Sequence, residues 1–235
     1  MTQNALCIVM ARGGSKRVPR KNIRPFCGRP MVEWPIRAAL ESGVFSSVIM
    51  STEDAEIARV AEACGASIPF LRPAHLADDF STTADVLLHA LQRLRQSSGT
   101  LPQYCCCLYG TSALVTPQFL RKGLEQLSTR RCELVMAVAE YAHPIERSLQ
   151  FSDDGTVFYR QPEFVSVRTQ DIKPSYHDLG LFYWFSTEAF LREGGTSFLP
   201  LSKSAIVVPR SVAVDIDTEE DWAFAELVAR SQGLC

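Results

Sequence analysis

The feature that most restricts this chain is the regular exchange of short apolar runs with amphipathic stretches of helical period over its first 140 residues. Residues 5–10 (ALCIVM) read as a buried strand, and residues 31–42 as a helix that stops at Gly43. Pro35 sits in the first turn of that helix, where a missing N–H matters little. Residues 46–52 predict a second strand, and residues 53–64 a helix with Ile57, Val60, Ala61 and Cys64 on one face, closed by Gly65. A short strand over 67–71 is broken by Arg72-Pro73, and a polar connection over 72–83 ends in Ser/Thr caps. The helix over 85–96 presents Val86, Leu87, Ala90, Leu91 and Leu94, and a strand over 104–109 leads into Gly110-Thr111-Ser112. Pro117 opens a helix that turns Phe119, Leu120, Leu124 and Leu127 inward, and residues 133–139 supply a fifth strand. Such alternation predicts an α/β fold with a mostly parallel, doubly wound sheet.

The rhythm changes after Tyr141. Residues 148–159 read as two short strands joined by Asp153-Asp154-Gly155, an Asp-Gly hairpin signal, and 160–179 are polar and irregular before a strand-like run over 180–185. A final strand is expected over 205–208 and again over 212–216, followed by a helix over 219–230. The chain therefore reads as one domain over 1–235 with a small β-containing excursion at about 141–185, a lid, a dimerisation arm, or both.

Residues 11–24 join the first strand to the first helix and place Arg or Lys at six of fourteen positions, with no acidic residue before Glu33. Gly13 and Gly14 lack a Cβ, which lets successive N–H groups converge on an anion. A solvated basic loop fits the charge run alone equally well. Its position after a strand favours a phosphate cradle, because ligands in open α/β sheets bind beyond the carboxyl ends of strands. The spacing is neither that of a Walker A loop nor of the dinucleotide fingerprint.

Composition narrows the partners. A net charge of −2 argues against a general nucleic-acid binder, so the local positive charge suits a small anion. No apolar stretch is long enough to span a bilayer and no leader pattern opens the chain, which predicts a cytoplasmic protein without a membrane partner. Eight cysteines include the consecutive Cys105, Cys106 and Cys107 in a strand-like run, so reduced, mostly buried thiols are expected. No Cys-x-x-Cys pair occurs and the four histidines are scattered.

Asp215 and Asp217 are one residue apart, so on an extended strand they share a side, and two such carboxylates suit Mg²⁺. Asp217 or Thr218 fits an N-cap of the following helix as well. With the basic loop, however, the pair supplies both halves of a nucleoside triphosphate site.

These residues carry a resemblance. Residues 11–22, Arg72-Pro73-Ala74, Leu76-Ala77, Thr111-Ser112 and Asp215-Ile216-Asp217-Thr218 occur in the order seen in the acylneuraminate (CMP-nonulosonic acid) cytidylyltransferases, which the chain resembles over nearly its whole length. Residues 20–28, 70–74 and Tyr176-His177-Asp178 before Gly180 and Phe182-Tyr183-Trp184 favour the branch that makes CMP-pseudaminic acid for bacterial surface and flagellin glycosylation. The sequence departs from the family's pattern at Gly110 and Ala113, where relatives often carry Pro or Ala before, and Pro after, the Thr-Ser pair. It departs again at Leu181, where Gln is common in the pseudaminate branch.

The resemblance implies a Rossmann-like nucleotidyltransferase fold and a homodimer, with the excursion reaching across the interface. It implies that Ala11, Arg12, Gly13, Lys16, Lys21, Asn22, Arg72 and Thr83 bind CTP. Among these Arg12, Lys16 and Lys21 act with Asp217 in catalysis, and Asn22, Arg72 and Thr83 lie near the cytidine. Asp215 and Asp217 would hold Mg²⁺, and Thr111 and Ser112 would border the sugar with Tyr176, His177 and Asp178. The implied reaction is attack of the anomeric hydroxyl of a nine-carbon α-keto acid sugar on the α-phosphorus of CTP, releasing pyrophosphate. Sialic or legionaminic acid as the acceptor, or a nucleotide binder without catalysis, are the competing readings. The joint presence of Arg12, Lys16, Lys21, Asp215 and Asp217 argues against the last.

Overall fold

The computed structural model describes residues 4–235. Strand β1 (Ala5–Met10) runs into the basic loop, which returns through a two-stranded ribbon, β2 (Pro25–Phe26) and β3 (Arg29–Pro30), to helix α1 (Glu33–Ser42). The chain continues through β4 (Ser47–Ser51), α2 (Ala55–Ala63), α3 (Thr83–Ser98), β5 (Tyr104–Tyr109), α4 (Pro117–Thr129) and β6 (Leu134–Glu140). It then forms β7 (Leu149–Phe151), β8 (Val157–Tyr159), β9 (Tyr176–Ser186), α5 (Thr187–Arg192), β10 (Lys203–Val207) and α6 (Glu219–Ser231).

Six strands make the central sheet in the order β10-β6-β9-β5-β1-β4. β1 pairs in parallel with β4 and β5, and β10 with β6, as the α/β alternation predicts. Every residue of β1 is buried because layers cover both faces of the sheet. Cys7 and Val9 pack on one side with Ile36, Ile57 and Leu124, while Leu6, Ile8 and Met10 pack on the other with Leu87, Leu91 and Phe190. The helices start and stop where short polar side chains and glycine dictate. Thr82 with Asp85, and Thr218 with Asp221, form capping boxes, and Gly43 and Gly99 take left-handed angles at helix ends.

Four expectations change. The strand expected over 180–185 is the longer β9, and it runs antiparallel through the middle of the sheet, between β5 and β6. The strand expected over 67–71 shrinks to one bridge, Ser67 with Ile49, because Pro69 brings no donor to a ladder. The second half of the final strand, 212–216, is absent: after Pro209 the chain makes a short 3₁₀ turn over Arg210–Val212 and then runs without ladder partners to α6. Finally, Cys27 and Cys235 form a disulfide, where free thiols were expected throughout. The other six cysteines are free, and Cys7, Cys105, Cys106 and Cys107 are buried.

The Asp-Gly hairpin forms as read, with β7 and β8 pairing as a separate two-stranded sheet. Asp154 accepts from the Thr156 hydroxyl and backbone N–H and from the Ser152 hydroxyl, which pulls its carboxyl down to about 2. Leu149, Phe151, Val157, Phe158 and Tyr159 on this arm are exposed.

Candidate active site

β1 lies between β4 and β5 and is parallel to both, so the carboxyl ends of the three strands meet at one edge. Helices α1, α2 and α4 cover one face of the sheet and α3 the other, and a crevice opens beyond these carboxyl ends. Three confluent clefts of about 240, 250 and 410 Å³ open there. The first is lined by Ala11, Arg12, Lys21, Asn22, Arg72, Thr83 and Thr111, among others. The second holds Arg12, Lys16, Arg17, Lys21, Asp79 and Asp217. The third is more apolar and holds Thr83, Tyr109, Asp178, Tyr183, Phe198 and Lys203.

The basic loop divides its charges. Arg12, Lys16, Arg17 and Lys21 line the clefts, whereas Arg20 turns to Asp54 and Glu56, and Arg24 pairs with Glu219 and stacks 4.5 Å over the Trp222 ring. Two carboxylates stand among the inward cations. Asp79 pairs with Lys16 at 2.7 Å and Arg12 at 2.9 Å, and these bonds, Lys16 first, hold its carboxyl below the usual range. Asp217 pairs with Arg17 at 2.7 Å, and Lys21 Nζ donates to the Ile216 carbonyl at 2.6 Å. The loop and the segment before α6 thus form one wall of the site.

The glycines act differently from the expected cradle. Gly13 N–H donates to Glu53 Oε1 at 2.7 Å, and a Cβ on Gly13 would lie 2.4 Å from Asp54 Oδ2. Gly13 is therefore required for close packing of the loop on the start of α2, while nothing lies within 4 Å of a Cβ on Gly14. Gly110 has a comparable reason: its Cβ would meet Asn22 Oδ1 at 2.4 Å, and Asn22 itself is buried and donates to the Arg12 carbonyl at 2.9 Å. A residue at 110 with a side chain would displace Asn22 from the cleft wall.

Arg72 is the buried cation of the site, its side chain 4% exposed. Its Nη2 donates to the Ala11 carbonyl at 2.7 Å and to Glu53 Oε2 at 2.8 Å, and its Nε has no partner. Thr83, the first residue of α3, shares a 2.6 Å hydrogen bond with the Tyr109 hydroxyl. Tyr183 donates to Asp178 at 2.6 Å. Burial first, and for Tyr183 the hydrogen bond to Asp178 next, raises both phenols well above their ordinary value, so both stay protonated at neutral pH.

Asp215 does not share a strand face with Asp217, because no strand forms there. Its carboxyl makes no hydrogen bond among the described residues, and partial desolvation followed by the Asp217 charge raises its pKa. No group of three or more His, Cys, Asp or Glu suited to a metal occurs among the described residues. Of the expected sugar-site residues, Thr111 lines the first cleft and Asp178 the third. Ser112 is buried and donates to the Leu181 carbonyl at 2.8 Å. Tyr176 is exposed, and His177 packs on Tyr141 with ring centroids 4.9 Å apart.

Sequence reading missed Glu53, Asp79, Tyr109, Tyr183, Phe198 and Lys203. Glu53 and Tyr109 had a signal, since each stands at the carboxyl end of a parallel strand beside β1. Asp79 and Phe198 had none, because irregular connections bring them in, and Lys203 had none because it opens β10, whose place beside β6 is set by long-range pairing.

The cytidylyltransferase family model matches residues 6–196. The chain is 38% identical over 223 residues to the pseudaminic acid cytidylyltransferase of Campylobacter jejuni, covering 95% of each chain. It is 30% identical to N-acylneuraminate cytidylyltransferase A of Danio rerio, covering 93% of this chain and 49% of that one. The solved structure of CMP:2-keto-3-deoxy-manno-octonic acid synthetase complexed with CTP superposes with a TM-score of 0.66, covering 97% of this chain and 99% of that chain at 15% identity, a likeness of fold. The family match across most of the chain, together with relatives at and above 30% identity, means that this chain belongs to the cytidylyltransferase family.

Proposed function

We propose that this chain transfers CMP from CTP to the anomeric hydroxyl of a nonulosonic acid, pseudaminic acid in the first instance, and releases pyrophosphate. The observation that carries this reading is the meeting of Arg12, Lys16 and Lys21 with Asp217 in one cleft that continues past Arg72 and Thr83 into a third, partly apolar one. Pseudaminic acid is favoured over sialic acid by the greater identity and the full-length match to the Campylobacter enzyme.

Phosphoryl-type transfer rests on in-line positioning and charge neutralisation. Arg12, Lys16 and Lys21 bind the triphosphate and stabilise the charge that grows on the departing pyrophosphate. Ala11, Gly13 and Asn22 shape the wall beside them, and Arg72 and Thr83 meet the cytidine. The neutral phenols Tyr109 and Tyr183 and the carboxylate of Asp178 offer hydrogen bonds to sugar hydroxyls. Among the described residues Lys203 is the one cation lining that cleft; its Nζ donates to the Leu199 and Leu201 carbonyls and keeps a third hydrogen for the acid's carboxylate.

Asp215 and Asp217 fit Mg²⁺: both are hard oxygen donors, Asp215 makes no hydrogen bond among the described residues, and desolvation first and the Asp217 charge second raise its pKa, a repulsion that a divalent cation relieves. Bound there with substrate phosphates, Mg²⁺ supplies Lewis-acid polarisation of the α-phosphate. The exposed apolar residues Leu149, Phe151, Val157 and Phe158 support a homodimer in which the arm rests on a second copy. The reading sets the chain in the cytoplasm, where CTP is available.

Incubation with CTP, Mg²⁺ and pseudaminic, sialic or legionaminic acid while following pyrophosphate tests the reading. Release greatest with pseudaminic acid supports it, and no release with any acid overturns it.

A further inference from the structure

Thr82, Thr83 and Tyr109 line both the first cleft and the third, partly apolar one. The Thr82 hydroxyl is committed to the cap of α3, where it donates to Asp85 Oδ2 at 2.7 Å and accepts the Asp85 N–H. Thr83 and Tyr109 are left on the divide, and their hydroxyl oxygens lie 2.6 Å apart. Neither oxygen has a second hydrogen-bond partner among the described residues.

The fold holds the ring of Tyr109 but leaves the direction of its hydrogen open. Tyr109 ends β5, and the Tyr183 ring meets it edge to face with centroids 6.2 Å apart. Gly180 of β9, at a φ of 59°, lies so close that a Cβ there would come 3.5 Å from the same ring. Burial keeps the phenol protonated, so the pair owns two hydrogens and only one of them lies between the oxygens. A phenol is a stronger acid than an aliphatic hydroxyl and the better donor. With Tyr109 donating to Thr83, the Thr83 hydrogen is left for an acceptor in the first cleft, and the Tyr109 oxygen is left for a donor in the third.

We infer that Thr83 and Tyr109 form a positioning relay between the two substrates: a nucleotide acceptor takes the Thr83 hydrogen, which sets Tyr109 to donate to Thr83 and presents the Tyr109 oxygen to an O–H or N–H of the sugar acid. The inference rests on the proposed reading of the clefts as nucleotide and sugar sites. Cytosine, ribose and phosphate all carry oxygen acceptors, and a nonulosonic acid carries several hydroxyl donors. Sugar, Tyr109, Thr83 and nucleotide then form one run in which each protein hydroxyl both accepts and donates, and hydrogen bonds in such a run strengthen one another. Before the nucleotide binds, the shared hydrogen can lie either way, which makes the Tyr109 oxygen a poorer partner for a donor. Coupling between two ligands is reciprocal, so the relay makes each substrate hold the other more tightly.

The test is calorimetric titration of pseudaminic acid into the full chain with Mg²⁺, with and without a saturating α,β-methylene analogue of CTP, whose carbon bridge blocks transfer. In the parent the analogue is expected to tighten sugar binding about fivefold or more, on the scale of coupling between sites. Tyr109→Phe and Thr83→Val are each expected to bring that factor below about twofold, with the double variant lowering it no further. Thr83→Ser keeps the hydroxyl and is expected to keep the parent factor. A purely structural role weakens either ligand but leaves the factor between them unchanged. A parent factor short of about fivefold, a factor that stays above about twofold in Tyr109→Phe or Thr83→Val, or one that falls below about twofold in Thr83→Ser would overturn the inference. Should circular dichroism find Tyr109→Phe unfolded, Thr83→Val and Thr83→Ser are read alone by the same limits. A parent that binds the analogue but no pseudaminic acid overturns the sugar reading, and one that binds no analogue overturns the nucleotide reading; either takes the relay with it.

Discussion

Lys21 Nζ donates to the Ile216 carbonyl at 2.6 Å and lies 3.4 Å from the Asp217 carboxylate, joining the basic loop to a segment 196 residues further along the chain. Lys21 is the least exposed of the loop's cleft-lining cations whose ion pairs are described, with a side chain 18% exposed. In Lys21→Ala, kcat/KM for CTP is expected to fall about 100-fold or more, the scale of losing one preorganised charge donor. The lost hydrogen bond lowers stability by about 1 kcal/mol. Steady-state kinetics and a denaturant titration check the two effects, and unchanged CTP affinity with unchanged turnover would remove Lys21 from the site.

Asp79 pairs with Arg12 and Lys16 in the cleft, and under the proposed function a triphosphate would compete for the same cations. Asp79→Asn is expected to tighten CTP and pyrophosphate binding by about two- to fivefold, since exposed ion pairs are worth about 0.2–1 kcal/mol. Titration calorimetry with each ligand reads this. Weaker binding in the variant would assign Asp79 to ligand contact instead.

Asp217→Asn tests the metal assignment. The Mg²⁺ concentration for half-maximal pyrophosphate release is expected to rise about tenfold or more, and chelation with EDTA to stop release in the parent. A variant that turns over at the parent rate at every Mg²⁺ concentration counts against Asp217 as a ligand.

Burial pushes the Cys105 thiol from 9.0 up to about 12 and raises Cys7, Cys106 and Cys107 in the same direction. With folded values above unfolded ones, the stability these thiols contribute is intact below 9.0 and is lost as pH climbs toward about 12, because the unfolded chain releases its protons first. Urea midpoints are therefore expected to fall from about pH 8 to about pH 10. At about pH 8 a maleimide should label Cys64 and Cys132 well before the four buried thiols. Rapid labelling of all six would contradict the packing of β1 and β5.

On the arm, Phe151 is 78% exposed and is held by no part of the main core. Phe151→Asp together with Phe158→Asp is expected to weaken self-association about 30-fold or more, on the scale of losing an interface anchor, while the melting of the main sheet stays unchanged. Sedimentation velocity read beside near-UV circular dichroism separates this from misfolding. Parent and variant sedimenting alike would dismiss the arm as the interface.

The parts legible in the sequence were those written in local order. β1, β4, β5 and β6 appear as apolar runs because both faces of the sheet are covered, and the helices appear through periodicity, Thr and Asp caps and Gly stops. The Asp-Gly hairpin was legible for the same reason. β9 was seen as a strand, but its antiparallel place between β5 and β6 was not, since pairing partners are chosen by long-range packing. The expected strand over 212–216 had the right side chains and no ladder to join.

Returning to the basic loop, the sequence by itself determined that its cations follow a buried strand, lack nearby acids and precede an Asp-x-Asp pair at the far end of the chain. Only the tertiary structure decided which cations face the cleft. Arg20 and Arg24 are drawn outward by Asp54, Glu56 and Glu219, and Gly13 gives its N–H to Glu53 rather than to the cleft. The carboxylates that make these choices come from other strands and helices. Charge pairing acts over a few ångströms whatever the separation along the chain, so the sequence placed six cations in one loop and the fold decided which of them line the clefts.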